Sequence, residues 1–125
     1  MAIAVTRNSH AMIQWNASYG GTVVSRYRRG EGFGKPIRLR KDTEHFVAAY
    51  RALLLTDDGA ALVAGDDKNG AAYRWQRGPG RAWRPVEQLA TSEISSADAR
   101  GTRMAVMFHN DAGLHARIID VVPAT

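Results

Sequence analysis

The sequence predicts an all-β chain built from about three copies of one antiparallel unit. Three observations carry that expectation. The chain repeats itself at intervals of 50 and then 43 residues, and its apolar runs are short and divided by Asn, Asp and Gly. Its composition, 45% hydrophobic and 23% charged, is that of a packed domain rather than a disordered segment. At 125 residues it has the size of a single domain, here a repeat domain spanning 1–125.

The repeat fixes the elements. A shift of 50 lays Ala2-Ile3-Ala4-Val5-Thr6 on Ala52-Leu53-Leu54-Leu55-Thr56, and Ala11-Met12-Ile13 on Ala61-Leu62-Val63. It also lays Gly20 on Gly70, Phe33 on Trp83 and Leu39 on Leu89. A shift of 43 then lays Val63 on Val106 and Gly70 on Gly113. The copies span about 2–51, 52–94 and 95–125, and the last is incomplete.

The first copy reads as strands Ile3–Thr6, Ala11–Trp15, Thr22–Tyr27 and Lys35–Leu39. The second reads as Ala52–Thr56, Ala60–Ala64, Ala71–Gln76 and Arg84–Leu89. The third gives Ser95–Ala99, Met104–Phe108 and Leu114–Ile119, so eleven strands are expected. Between second and third strands lie turns rich in Asn, Asp and Gly, which supply the positive φ that hairpin loops need. One stretch competes: Asp42-Thr43-Glu44 followed by Phe46, Val47 and Tyr50 also fits a short helix from about Glu44 to Ala49.

Four short antiparallel strands per 40 to 50 residues is the period of a β-propeller blade, which gives about 2.75 blades in this chain. Gly59-Ala60-Ala61-Leu62-Val63-Ala64, Tyr73-Arg74-Trp75 and Trp83-Arg84-Pro85-Val86-Glu87-Gln88-Leu89 resemble secreted propeller repeats of the kind common in actinobacteria. The first copy repeats that skeleton as Trp15, Arg26 and Phe33-Gly34-Lys35-Pro36-Ile37-Arg38-Leu39. It departs where Gly65 and Phe108 replace Trp15, and where Pro85 stands one place early. The resemblance implies a secreted or cell-surface protein. The start, Met1 to Val5, lacks the basic flank of a signal peptide, and no apolar run approaches the roughly 18 residues of a membrane span. Neither the early Gly-His and late Trp-Asp of WD repeats nor a sialidase-type aspartate box is present, since Thr56-Asp57-Asp58-Gly59 leads to Leu62 without tryptophan.

The candidate ligand-binding residues are Trp15, Trp75, Tyr73 and the arginines Arg26, Arg74 and Arg117 at the centres of third strands. Indoles suit the apolar face of a sugar, and equivalent arginines could hold an anion through paired hydrogen bonds. The competing role for the arginines is an apolar stem laid on an aromatic with the head in water. Phe33 and Trp83 read as packing for the outer strand, so Trp83→Ala is expected to cost about 3–5 kcal/mol and Trp75→Ala little. Arg26, Arg28, Arg29, Arg38, Arg40 and Lys41 are the densest positive cluster. In Ile37-Arg38-Leu39-Arg40 alternation puts Ile37 and Leu39 inward and the arginines outward, where charge blunts edge pairing.

No cysteine is available for a disulfide, a thiolate metal site or a nucleophile. Turn residues Asp66, Asp67, Asn69, Asn110 and Asp111 offer too few oxygens for calcium. His109 and His115, placed opposite Leu114 and Phe108, should diverge, so no metal or other cofactor is expected. Seventeen basic residues against twelve acidic ones, a net +5, favour an anionic partner. Nucleic acid is not the expected one, because no basic groove is legible.

The expected function is a non-catalytic propeller module that binds a glycan or a protein surface. The alternatives are a propeller enzyme acting on an anionic polysaccharide and a purely structural assembly unit. Three blades should not close alone, so a homodimer is expected, covering flanks that carry Ile3, Val5, Met12 and Ile13 at one end and Met104, Val106, Ile118 and Ile119 at the other.

Overall fold

The computed structural model describes residues 1–16, 22–39, 50–67, 70–110 and 112–120. They form three antiparallel meanders in which successive strands pair, apart from the last short strand of the first sheet, which pairs with the strand two before it. Sheet 1 holds β1 (Ala2–Val5), β2 (Ala11–Asn16), β3 (Thr22–Arg28), β4 (Gly32–Phe33) and β5 (Ile37–Arg38). Sheet 2 holds β6 (Tyr50–Leu55), β7 (Ala61–Asp67), β8 (Gly70–Gln76) and β9 (Glu87–Ala90). Sheet 3 holds β10 (Glu93–Arg100), β11 (Arg103–Asn110) and β12 (Gly113–Asp120).

The expected strands are therefore present, with one addition. The fourth strand of the first copy, expected as Lys35–Leu39, is shortened to β5, and an extra two-residue strand, β4, precedes it; both pair with β3. Pro36 has no N–H to donate, and Gly34 is drawn into other bonds. Its N–H donates to the Arg26 carbonyl at 2.9 Å, and the Ser25 hydroxyl donates to its carbonyl at 2.7 Å. The same ring chemistry delays β9 past Pro85. The helix weighed at Glu44 to Ala49 lies outside the described residues, as do Arg40 and Lys41.

The first hairpins of sheets 1 and 2 close identically. Thr6 N–H donates to the His10 carbonyl at 2.8 Å, and Thr56 N–H to the Ala60 carbonyl at 2.9 Å. Both threonine hydroxyls accept from the residue four places on, His10 at 3.2 Å and Ala60 at 3.0 Å. These turns also string the sheets together. Arg7 is paired with Asp57 at 3.0 Å, Asn8 donates to the Asp57 carbonyl, and Asp57 N–H donates to the Gly101 carbonyl in the corresponding turn of sheet 3.

Sheet 2 lies between the other two, because alternation gives it two buried faces. Leu53, Leu55, Ala61 and Val63 join Met12, Val24 and Leu39 in the seam with sheet 1. Ala52, Leu54, Leu62, Ala64, Ala71 and Tyr73 join Ile94, Met104, Val106 and Phe108 in the seam with sheet 3. This corrects the expected flanks: Met12, Met104 and Val106 are at most 1% exposed, inside seams. Among the described residues the three sheets do not close into a barrel or a ring.

Candidate functional site

The six predicted ligand residues do not converge. Trp15 pairs with Val23 on the face of sheet 1 that points away from sheet 2. Tyr73 and Trp75 lie in the seam between sheets 2 and 3, Tyr73 in the core cluster and Trp75 packed against it. The Tyr73 hydroxyl donates to Glu87 Oε2 at 2.8 Å. Burial pushes this phenol above its ordinary pKa; the hydrogen bond and charge of Glu87 add to the shift, and Arg117 and Arg84 oppose it. Trp75 carries the Arg84 guanidinium 4.8 Å from its ring centroid and that of Arg77 at 5.2 Å, a cation–π arrangement that occupies its ring.

The three arginines are not equivalent either. Arg74 stands opposite Val63 and Arg117 opposite Val106, the same register position. Arg26 stands opposite Met12, whose counterpart in sheet 2 is Leu62, and Leu62 is paired with Trp75. The β2–β3 connection is offset by one residue against β7–β8, so Arg26 takes the place of a tryptophan. That single offset creates the most site-like feature of the molecule.

At one end of the seam between sheets 1 and 2 opens a cleft of about 670 Å³, within the range of about 300–1,000 Å³ usual for small-molecule sites. Among the described residues four cations line it, Arg26 and Arg28 from β3, Lys35 from the segment before β5, and Arg81 from the β8–β9 loop, against one acid, Glu31. Trp83 supplies an aromatic wall and also packs on the seam's core. Arg26 Nη2 donates to Gln76 Oε1 at 2.7 Å, while Gln76 donates in turn to the Arg81 carbonyl. The Arg26 Nη1 is buried and has no hydrogen-bond partner among the described residues. Burial first, and then the charge of Arg28, lowers the pKa of this guanidinium. An anion in the cleft would relieve both.

The sequence reading had Arg26 and Arg28 in its basic cluster but not Gln76 or Arg81. The missing signal was pairing between copies: Arg26 and Gln76 are 50 residues apart, the repeat period itself. Trp83, expected as packing, does pack and also walls the cleft. Phe33, expected to share that role, is 45% exposed and meets Tyr27 edge-on at 5.5 Å. Ile37, expected inward, shares a face with Val24 but sits at the cleft rim, 49% exposed. His109 pairs with Leu114 and His115 with Phe108, so the imidazoles point to opposite faces, and His109 Nδ1 lies 2.8 Å from the Ser95 hydroxyl. A scan against protein-family models finds no match to this chain, and a search of curated proteins finds no significant one.

Proposed function

We propose that the chain is a non-catalytic β-propeller-type module that binds glycans, and that the cleft beside Arg26 takes an anionic sugar. The observation that carries this reading is the cluster of Arg26, Arg28, Lys35 and Arg81 around one opening, with a buried guanidinium nitrogen left over. A planar guanidinium already fixed on one side by Gln76 matches a carboxylate in geometry as well as charge. Trp83 offers a flat apolar wall of the kind that a pyranose face covers. The propeller reading is supported by the stacking of the meanders, with their first strands, β1 against β6 and β6 against β10, nearest one another.

The test is titration with uronic-acid oligosaccharides and their neutral counterparts, followed calorimetrically. Acidic oligomers should bind more tightly, with affinity falling as salt rises. Arg26→Met and Arg81→Ala should each weaken binding about tenfold or more, equivalent to roughly 1.4 kcal/mol. Equal affinity for neutral sugars would overturn the anionic assignment. Release of new reducing ends from an acidic polysaccharide would make the protein an enzyme instead.

A further inference from the structure

Each seam in this molecule joins two different faces. Sheet 2 turns Leu53, Leu55, Ala61 and Val63 back toward sheet 1, and Leu54, Leu62 and Ala64 forward toward sheet 3. Sheet 3 turns Met104, Val106 and Phe108 back toward sheet 2. Sheet 1 turns Ala2, Ala4, Met12 and Val24 forward toward sheet 2. A forward face thus meets a back face in both seams. Among the described residues this leaves the front of sheet 3 and the β1 edge of the back of sheet 1 exposed, whereas Ala11, Val23 and Ser25 further across that back are already buried.

Both exposed surfaces keep the apolar character of their buried counterparts. On the back of sheet 1, Ile3 is 65% and Val5 68% exposed, whereas Leu53 and Leu55, 50 residues on, are 8% and 6% exposed. On the front of sheet 3, Met107 is 39%, Leu114 70% and Ile118 61% exposed. Their counterparts 43 residues earlier are Ala64 and Ala71, both 0% exposed, and Trp75, which packs on a core cluster. The registers Met107 with Ala116, His109 with Leu114 and Ala105 with Ile118 place these side chains together, opposite the face that Met104 and Val106 bury. Isolated apolar residues on a surface need no account, but a face whose repeat counterpart is core does.

We infer that a second copy of this chain covers both faces. The front of sheet 3 packs on the back of its partner's sheet 1, and the reverse contact follows by two-fold symmetry, giving a closed stack of six sheets. The occupant is another copy because this chain already carries, twice, the complement each face requires. The inference rests on the stacked-sheet part of the proposed function and not on its ligand, since Ile3 and Ile118 line no part of the basic cleft.

Light scattering coupled to size exclusion, at about 1–100 µM, should give twice the 13.7 kDa chain mass. Ile3→Glu and Ile118→Glu should each lower the mass to one chain while leaving the circular dichroism unchanged, because both residues are already exposed. Mixing the two variants should restore a two-chain mass at the highest concentrations. One sound contact remains in that pair, between the unmodified front of one chain and the unmodified back of the other. A monomeric parent chain overturns the inference, and if it still binds uronates it leaves the ligand assignment standing. Either variant persisting as a dimer overturns the front-to-back arrangement, since a face pairing with itself would ignore the other. A mass above two chains overturns the two-copy closure.

Discussion

The two seams are built from the same repeat and differ, among other positions, in one pair that is polar in one seam and apolar in the other. Between sheets 2 and 3, Trp75 and Ile119 both pack on a core made of Leu54, Leu62, Tyr73, Met104 and Phe108. Between sheets 1 and 2, the register counterparts of Trp75 and Ile119 are Arg26 and Gln76, which hydrogen-bond to each other. The first seam is apolar at this level, and the second opens there into the basic cleft. A binding site in a repeat protein can thus arise where one copy gives up an apolar pair that its neighbour keeps. The remainder of the seam, Met12 with Leu53, Leu55 and Val63, holds the sheets together regardless.

Truncating equivalent core residues should expose the contrast most strongly. Leu62 and Met12 occupy the same register position and are each 1% exposed. Leu62→Ala leaves a void in a closed seam and should cost about 3–5 kcal/mol in urea unfolding, whereas Met12→Ala borders the cleft and should cost about 2–3 kcal/mol. Equal losses would mean that the cleft is not open to solvent as described. Trp75→Ala belongs with the first group. Its ring is built into the seam under two guanidinium groups, so the expectation of a small loss is replaced by one of about 2–4 kcal/mol, similar to that of Trp83→Ala.

A backbone constraint comes next. Gly59 holds φ at +86°, and a Cβ there would lie 2.7 Å from Pro79 Cδ and 3.1 Å from His10 Cε1. The turn of sheet 2 thus touches sheet 1 and the β8–β9 loop where only glycine fits. Gly59→Ala should lower stability by about 1–3 kcal/mol, from left-handed strain and from the contact with Pro79. Gly101→Ala makes a useful control: its φ is +59°, but a Cβ would meet nothing within 4 Å. Equal melting losses in the two variants would show that the close approach contributes nothing.

Arg26→Met sharpens the comparison from the other side. A buried guanidinium with one unpartnered nitrogen is a weak source of stability, and an apolar side chain of similar length can replace it at little cost. The change should move unfolding by no more than about 1 kcal/mol in either direction while weakening uronate binding about tenfold or more. A large stability loss with binding retained would make Arg26 a structural residue.

Much of this was legible in the sequence because the repeat carries it. Thr6 and Thr56 align at a shift of 50, and they close their hairpins through the same bonds. The register of His109 and His115 followed from the length of one loop. What stayed hidden depended on offsets that an ungapped shift does not display. Arg26 was grouped with Arg74 and Arg117 by its place near a strand centre, yet its pairing with Met12 puts it a step away, opposite sheet 2. The face that buries Met12, Met104 and Val106 could not be chosen from alternation alone, because β2 and β11 carry apolar residues on both faces. Composition hides direction when both sides read as core.

The smallest expected effect concerns Tyr73, the polar edge of the otherwise apolar seam. Its hydroxyl donates to Glu87, a carboxylate on the neighbouring strand at an exposed position, so Tyr73→Phe should cost only about 0.5 kcal/mol at pH 7. The informative quantity is how that difference changes with pH. Burial and Glu87 raise the folded phenol above its ordinary value of 10.0. The unfolded chain therefore loses this proton first as pH rises, which favours unfolding. The stability contributed by the neutral phenol is complete below pH 10 and declines as pH climbs toward the folded value. Tyr73→Phe cannot lose what it lacks. Urea unfolding of both proteins between pH 8 and 11 should show a constant small gap up to about pH 10 that then shifts in favour of the variant. The two proteins differ in this one phenol, so the difference between their curves isolates it. Parallel curves across the whole range would mean that Tyr73 is as free to ionise in the folded seam as in water, and the seam between sheets 2 and 3 would then be less closed than its packing implies.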